Sequence, residues 1–237
     1  MIGLVDGHIH ATKELLSVLK KNCVYCIANS DNLQEYEWLK NANIPEMIVS
    51  VGIHPWKADV TDWQEMETIL REAKVIGEIG LDNVWCNVDM ETQRKVFLKQ
   101  LELARDSQKP VILHTKGMEK EILEIIREFP NRYLVHWYSC ENYLEEYIKM
   151  GCWFTVGPAI LQDKSVEAVA RKVPIERLLI ESDGLEGISW GQNREIRGSD
   201  YIEAMEKHLY TVADICGCKV ESLLKQMKQN FVEFIQG

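Results

Sequence analysis

Eight short apolar runs recur along the chain, and their number restricts the fold more than any other feature. They are Ile2 to Val5, Cys23 to Ala28, Met47 to Val51, Val75 to Ile79, Val111 to Leu113, Tyr133 to Val135, Cys152 to Val156 and Leu178 to Ile180. Runs of this length and composition read as buried strands. The polar segments between them carry apolar residues at helical spacing, such as Phe97, Leu101 and Ala104 after the fourth run, or Ile122, Ile125, Ile126 and Phe129 after the fifth. Strands that alternate with helices pair in parallel through crossover connections, and eight units predict closure into a (β/α)8 TIM barrel. A last stripe, running from Val220 through Leu223, Leu224, Met227 and Phe231 to Phe234, predicts an extra C-terminal helix packed on the barrel wall.

The 237 residues suit one such barrel, so a single domain over 1–237 is expected. The start, MIGLVDGHIH, lacks the basic residues and long apolar run of a secretory leader, and no later stretch is long enough to cross a bilayer; a cytoplasmic protein without a membrane partner is expected. Seven cysteines, an odd number spread over the whole length, suit reduced thiols better than a disulfide framework. Cys23 and Cys26 form a CxxC inside an apolar run, where residues three apart face opposite sides of a strand, and they read as core residues. Cys216 and Cys218 flank a glycine between two helices and read the same way. A net charge of −10 argues against a broad basic surface for duplex nucleic acid.

Five of the six histidines fall at or just past the end of a predicted strand: His8 and His10, His54, His114, and His136. Barrel sites form at the carboxyl ends of the strands, so these residues converge on one mouth. His8 and His10, two residues apart on an extended segment, point the same way and can share a cation. Glu78 lies in the apolar run Val75 to Leu81, where a carboxylate is costly to bury unless paired or bound to metal. Asp183 follows the eighth run and lies nearer the mouth than Glu181, which reads as a supporting residue. The predicted metal ligands are therefore His8, His10, Glu78, His114, His136 and Asp183. His208, on the apolar stripe of Met205, Leu209 and Val212, reads as a packed helix histidine.

In combination and order these motifs resemble the TatD-like metal-dependent hydrolases, a branch of the amidohydrolase superfamily that includes metal-dependent deoxyribonucleases. The match covers Asp6-Gly7-His8-Ile9-His10, Gly52-Ile53-His54-Pro55-Trp56, Gly77-Glu78-Ile79-Gly80-Leu81-Asp82, the 93–104 helix with Phe97 and Gln100, Lys109 to His114, His136, Gly151 with Thr155 and Gly157, and Glu181-Ser182-Asp183. The resemblance implies two divalent ions, one on His8, His10, Glu78 and Asp183, the other on Glu78, His114 and His136, with His54 beside them to contact phosphate or water. Zinc, manganese, magnesium, iron and nickel all remain open. It implies hydrolysis of a phosphodiester by a metal-activated water, as 3′-to-5′ trimming of DNA or oligonucleotides, single strands favoured. Asp183 would take or relay the proton and Glu78 would hold the metal spacing.

The same metal pair would also serve a small amide, ester or phosphoester, and a non-catalytic binding protein on this fold would have lost one or more ligand positions. Departures from the family pattern concern the substrate. Lys116 stands where an arginine is common, giving a point charge instead of a bidentate fork. Tyr138-Ser139-Cys140 replaces an aromatic-Ser-Gly, and the proline soon after the last aspartate is missing. Residues 184–200 read as a Gly-rich polar loop, a lid whose Arg194 and Arg197 would join His54 and Lys116 on substrate phosphate. Trp56, Trp137, Tyr138 and Trp190 are candidates for base stacking at the mouth.

Overall fold

The computed structural model describes residues 3–237; Ile2, in the predicted first strand, lies outside the described residues. Eight parallel strands follow one another around a barrel: β1 (Val5–Ile9), β2 (Tyr25–Ser30), β3 (Met47–Val51), β4 (Val75–Gly80), β5 (Val111–His114), β6 (Tyr133–Val135), β7 (Trp153–Val156) and β8 (Leu178–Ile180). The helices between them are α1 (Lys13–Asn22), α2 (Leu33–Asn41), α3 (Trp63–Glu72), α4 (Met90–Asp106), α5 (Glu119–Arg127), α6 (Leu144–Lys149) and α7 (Lys164–Lys172). After β8 come α8 (Gly184–Gln192), α9 (Tyr201–Cys216) and α10 (Val220–Gln236). Five of the helices start on a polar side chain that accepts a first-turn N–H: Thr12, Asn32, Asp62, Asp89 and Asp163. Each cap satisfies a backbone donor that the helix itself leaves open and fixes where the strand-to-helix loop ends.

Two strands depart from regular pairing, and both carry metal-binding candidates. Between Asp6↔Cys26 and Ile9↔Ala28, β1 spends three steps against two on β2; between Ile76↔Val111 and Ile79↔Leu113, β4 does the same against β5. Each extra residue is a bulge, which re-aims the side chains after it. In β1 the bulge separates Asp6 from His8. A Cβ on Gly7 would lie 2.6 Å from the Thr155 methyl and 3.2 Å from Leu179, so only glycine fits between these side chains. Asp6 turns instead toward α9, while His8 enters the mouth. The predicted first strand is accordingly displaced: pairing extends through the polar Asp6, Gly7 and His8, because the buried Asp6 carboxylate has partners of its own.

Those partners close the barrel. Among the described residues no ladder joins β8 to β1, although the two lie side by side. The Asp6 carboxylate accepts from the Ser182 N–H at 3.0 Å, the Ser182 hydroxyl at 2.6 Å and the Tyr201 hydroxyl at 2.7 Å. The Asp183 N–H donates to the His8 carbonyl at 3.1 Å. A buried carboxylate thus ties the first strand to the chain leaving the last one and to the helix behind it.

Two expectations are corrected. Residues 184–192 are helix, not a lid loop. Gly187 and Gly191 are there for close packing: a Cβ on Gly191 would sit 2.8 Å from the backbone of Pro158 and Ala159, and one on Gly187 would reach 3.3 Å from the Trp137 ring. Glycines read as loop signals thus serve helix contact. The last helix, α10, lies under the barrel instead of along its wall. Phe231 meets Tyr25 and Phe234 meets Trp153, both at the starts of strands, and the Asn230 amide donates to the carbonyls of Ile175 and Leu178 at 2.7 and 2.8 Å.

Asp6→Ala is expected to destabilise the protein by about 2–4 kcal/mol, because it strands the Ser182 N–H and the Tyr201 hydroxyl inside the seam. The check is the midpoint of urea unfolding, with Tyr201→Phe expected to cost about 1 kcal/mol.

Candidate metal centre

Glu78 enters the mouth from the bulged part of β4 and is almost fully buried. Its two oxygens face different groups. Oε2 lies 3.5 Å from His8 Nε2 and 3.8 Å from His10 Nε2, and the same two imidazole atoms lie 3.4 and 3.5 Å from Asp183 Oδ1. Oε1 lies 2.7 Å from His114 Nδ1, 2.9 Å from His136 Nε2 and 3.5 Å from His54 Nε2. Potential ligand atoms fall into three overlapping sets, His8–His10–Glu78, His8–His136–Asp183 and His54–Glu78–His114, each within 4.8 Å.

Behind these side chains a further layer sets their orientation. Glu181 Oε2 lies 3.3 Å from His136 Nδ1, leaving the other ring nitrogen to face Glu78. Asp82 Oδ2 lies 3.1 Å from His114 Nε2 and accepts from the Trp56 indole N–H at 2.7 Å; its Oδ1 accepts from the Val84 and Trp85 N–H groups at 2.8 and 2.9 Å. A carboxylate on the far nitrogen of a ligating histidine fixes the tautomer and strengthens the ligand. Two buried glutamines of α4 hold the loops concerned. Gln100 clamps both backbone groups of Ile53, next to His54, and Gln93 clamps both backbone groups of Asp82.

The electrostatics call for a cation. Burial would raise the Glu78 carboxyl, yet His136 and His54 hold it well below its ordinary value. Burial and His136 disfavour charge on His8, but Asp183 and Glu78 outweigh them and lift its pKa to about 9. His114 and His136 are raised for the same reason: burial opposes their charge, and the facing carboxylates overcome it. His54 is the exception, lowered by burial and thus a neutral donor atom at pH 7. His8 Nε2 and Asp183 Oδ1, both aimed into the first cluster, have no hydrogen-bond partner. Imidazoles and carboxylates converging on such orphaned atoms fit a divalent metal, which would take the place of the protons the cluster otherwise holds.

All six predicted ligands meet here, and His54 stands as close to Glu78 as they do, in ligand range as well as at the substrate side. Lys116 borders the mouth, its ammonium on the Ser139 hydroxyl at 2.9 Å. Arg194 and Arg197 are exposed and turn to Gln192 and Glu195; neither contacts a residue of the cluster, since the segment before them is a packed helix instead of a lid. His208 is buried in α9 with Nε2 2.8 Å from the Val156 carbonyl, a packing role. The sequence reading assigned no role to Asp82 or Trp85. The signal for Asp82 is a second carboxylate just past the Glu78 strand; for Trp85 it is a large aromatic in the loop that follows.

A parallel barrel with histidines and acids gathered at the carboxyl ends of its strands can hold divalent metal, and the family match makes that arrangement a metal-dependent hydrolase's. The family described as TatD related DNase matches residues 5–236, and the chain belongs to it. Human deoxyribonuclease TATDN3 is 22% identical over 97% of this chain and 93% of its own length. Human 3'-5' RNA nuclease TATDN2 is 28% identical over 56% of this chain, a region that makes up 19% of that protein. Among solved structures, the TatD homolog YJJV of Escherichia coli superposes with a TM-score of 0.83 at 19% identity, covering 99% of this chain and 98% of the other.

Because the facing carboxylates raise the proton affinity of His8, His114 and His136, metal uptake is expected to release protons, and metal affinity to rise with pH as those protons leave. Calorimetry in buffers of different ionisation enthalpy measures the release. Glu78→Gln is expected to lower the metal content measured after dialysis, since it removes the one carboxylate shared by both groups of imidazoles.

Proposed function

We propose that this chain is a two-metal phosphodiesterase that trims single-stranded DNA or short oligonucleotides from the 3′ end. The observation that carries this reading is the division of Glu78, one oxygen toward His8 and His10 and the other toward His114 and His136, which suits two cations side by side. The nuclease names of the human relatives support the choice of a phosphodiester substrate.

Divalent ions at such a site, when bound, acidify a coordinated water and neutralise charge on the group under attack. The chain's own residues do the rest. Glu78 and His8 are closed off from solvent, whereas the side chains of Asp183 and His10 are 25% and 48% exposed, so water and substrate arrive from their side. The Asp183 carboxylate, a quarter exposed at that entrance, is the base that takes the proton from the attacking water. His54, neutral at pH 7, and the Lys116 ammonium orient phosphate oxygens from the opposite rim. With one lysine at the mouth and a net charge of −10, substrate affinity depends on the metals more than on a basic surface, which favours short flexible strands over duplex.

The test is digestion of a 5′-labelled single-stranded oligonucleotide by metal-reconstituted protein. A ladder growing from the 3′ end, abolished by chelator and by Glu78→Gln, is expected; an intact oligonucleotide beside protein that holds metal would redirect the search to small esters and amides. Asp183→Asn is expected to lower kcat by roughly 10²–10⁴-fold, the usual worth of a general base.

A further inference from the structure

One cavity adjoins the metal centre without belonging to it. It measures about 270 Å³ and is walled by Trp56, Trp85, Cys86 and Val88, with Asp59 and Asn87 at its rim. That is below the roughly 300–1,000 Å³ of sites that bury a drug-sized molecule, and it suits one flat ring system. Both tryptophans are about half exposed, at 47% and 54%, an unusual state for the largest side chain. Neither is free to turn away. The Trp56 indole is tied to Asp82 Oδ2, and its ring lies edge-on to His54 and His114 at 5.1 and 6.5 Å. The Trp85 backbone N–H is tied to the other oxygen of Asp82, and the Lys116 ammonium sits 4.5 Å from the centre of the Trp85 ring. A single buried carboxylate therefore orients His114 and the Trp56 indole and anchors the backbone that carries Trp85.

From this arrangement we infer that the Trp56–Trp85 pocket is a base-binding subsite, stacking the nucleobase of the nucleotide whose phosphodiester is cleaved. The inference rests on the nuclease reading for its choice of ring. A base in the pocket lies one residue's reach from the cluster of Glu78, His54 and His114. Its phosphate then falls between those side chains and Lys116, while Asp59 and Asn87 offer a carboxylate and an amide to the base edge. Stacking on indole tolerates any base, so the pocket confers a demand for a base and little choice among bases.

The experiment compares dAMP with 2-deoxyribose 5-phosphate, the same sugar phosphate without its base, by calorimetric titration of the metal-loaded protein. Wild-type protein is expected to bind dAMP about tenfold more tightly, within the range that stacking on one aromatic side chain supplies. Trp85→Ala is expected to bind both equally, and Trp85→Phe to restore most of the preference. Equal binding of the two ligands by wild type, or a preference that survives Trp85→Ala, would overturn the inference. The two readings fail separately: wild type that leaves oligonucleotides intact but keeps a Trp85-dependent preference for dAMP removes the nuclease assignment and leaves the subsite standing. Wild type that cuts DNA while binding both ligands alike does the reverse.

Discussion

The placement of one carboxylate, Glu78, inside an apolar barrel governs the rest of the site. Removing a negative charge from water costs several kcal/mol unless opposite charge surrounds it. Here five imidazoles approach its two oxygens, and the raised proton affinity of His8, His114 and His136 is the compensation in the absence of metal. Such an arrangement is stable only while every partner keeps its position. This explains why so much of the surrounding structure serves to position side chains: Glu181 behind His136, Asp82 behind His114, and the α4 glutamines behind the loops that carry His54 and Asp82.

The fold and the convergence of the candidate ligands were legible in the sequence because both follow from short-range periodicity. Apolar runs at regular intervals give strands, and histidines that end those runs must converge once the strands are parallel. What was not legible depends on contacts between distant segments. Alternation correctly puts His8 and His10 on one side but cannot foresee the bulge that turns Asp6 toward α9. Gly187 and Gly191 resemble loop residues until Trp137 and the Pro158–Ala159 backbone are brought against them, when they become the close-packed face of a helix. The apolar stripe of α10 marks a buried helix without telling which surface of the barrel it covers.

Asp82 shows the same limit in a functional residue. Its motif position is visible in sequence, yet its work comes from four donors supplied by Trp56, Val84, Trp85 and His114. Through it the metal centre and the rim are mechanically one unit. The departures from the family pattern fall at Lys116, at Tyr138-Ser139-Cys140 and after Asp183, while the cluster itself keeps all its candidate positions. Substrate choice and chemistry can therefore vary separately on a common frame.

The seam between β8 and β1 gives the metal centre a second meaning. One ligand group draws His8 and His10 from the first strand and Asp183 from the segment after the eighth. A cation held there would span the one junction that, among the described residues, lacks a ladder, and would cross-link parts of the chain some 175 residues apart in sequence. It is a clasp comparable to the disulfide of a secreted protein, except that it opens with chelation instead of reduction. The Ser182 and Asp183 amides are already bonded to Asp6 and to the His8 carbonyl, so a metal held there would reinforce a closure that the chain itself makes.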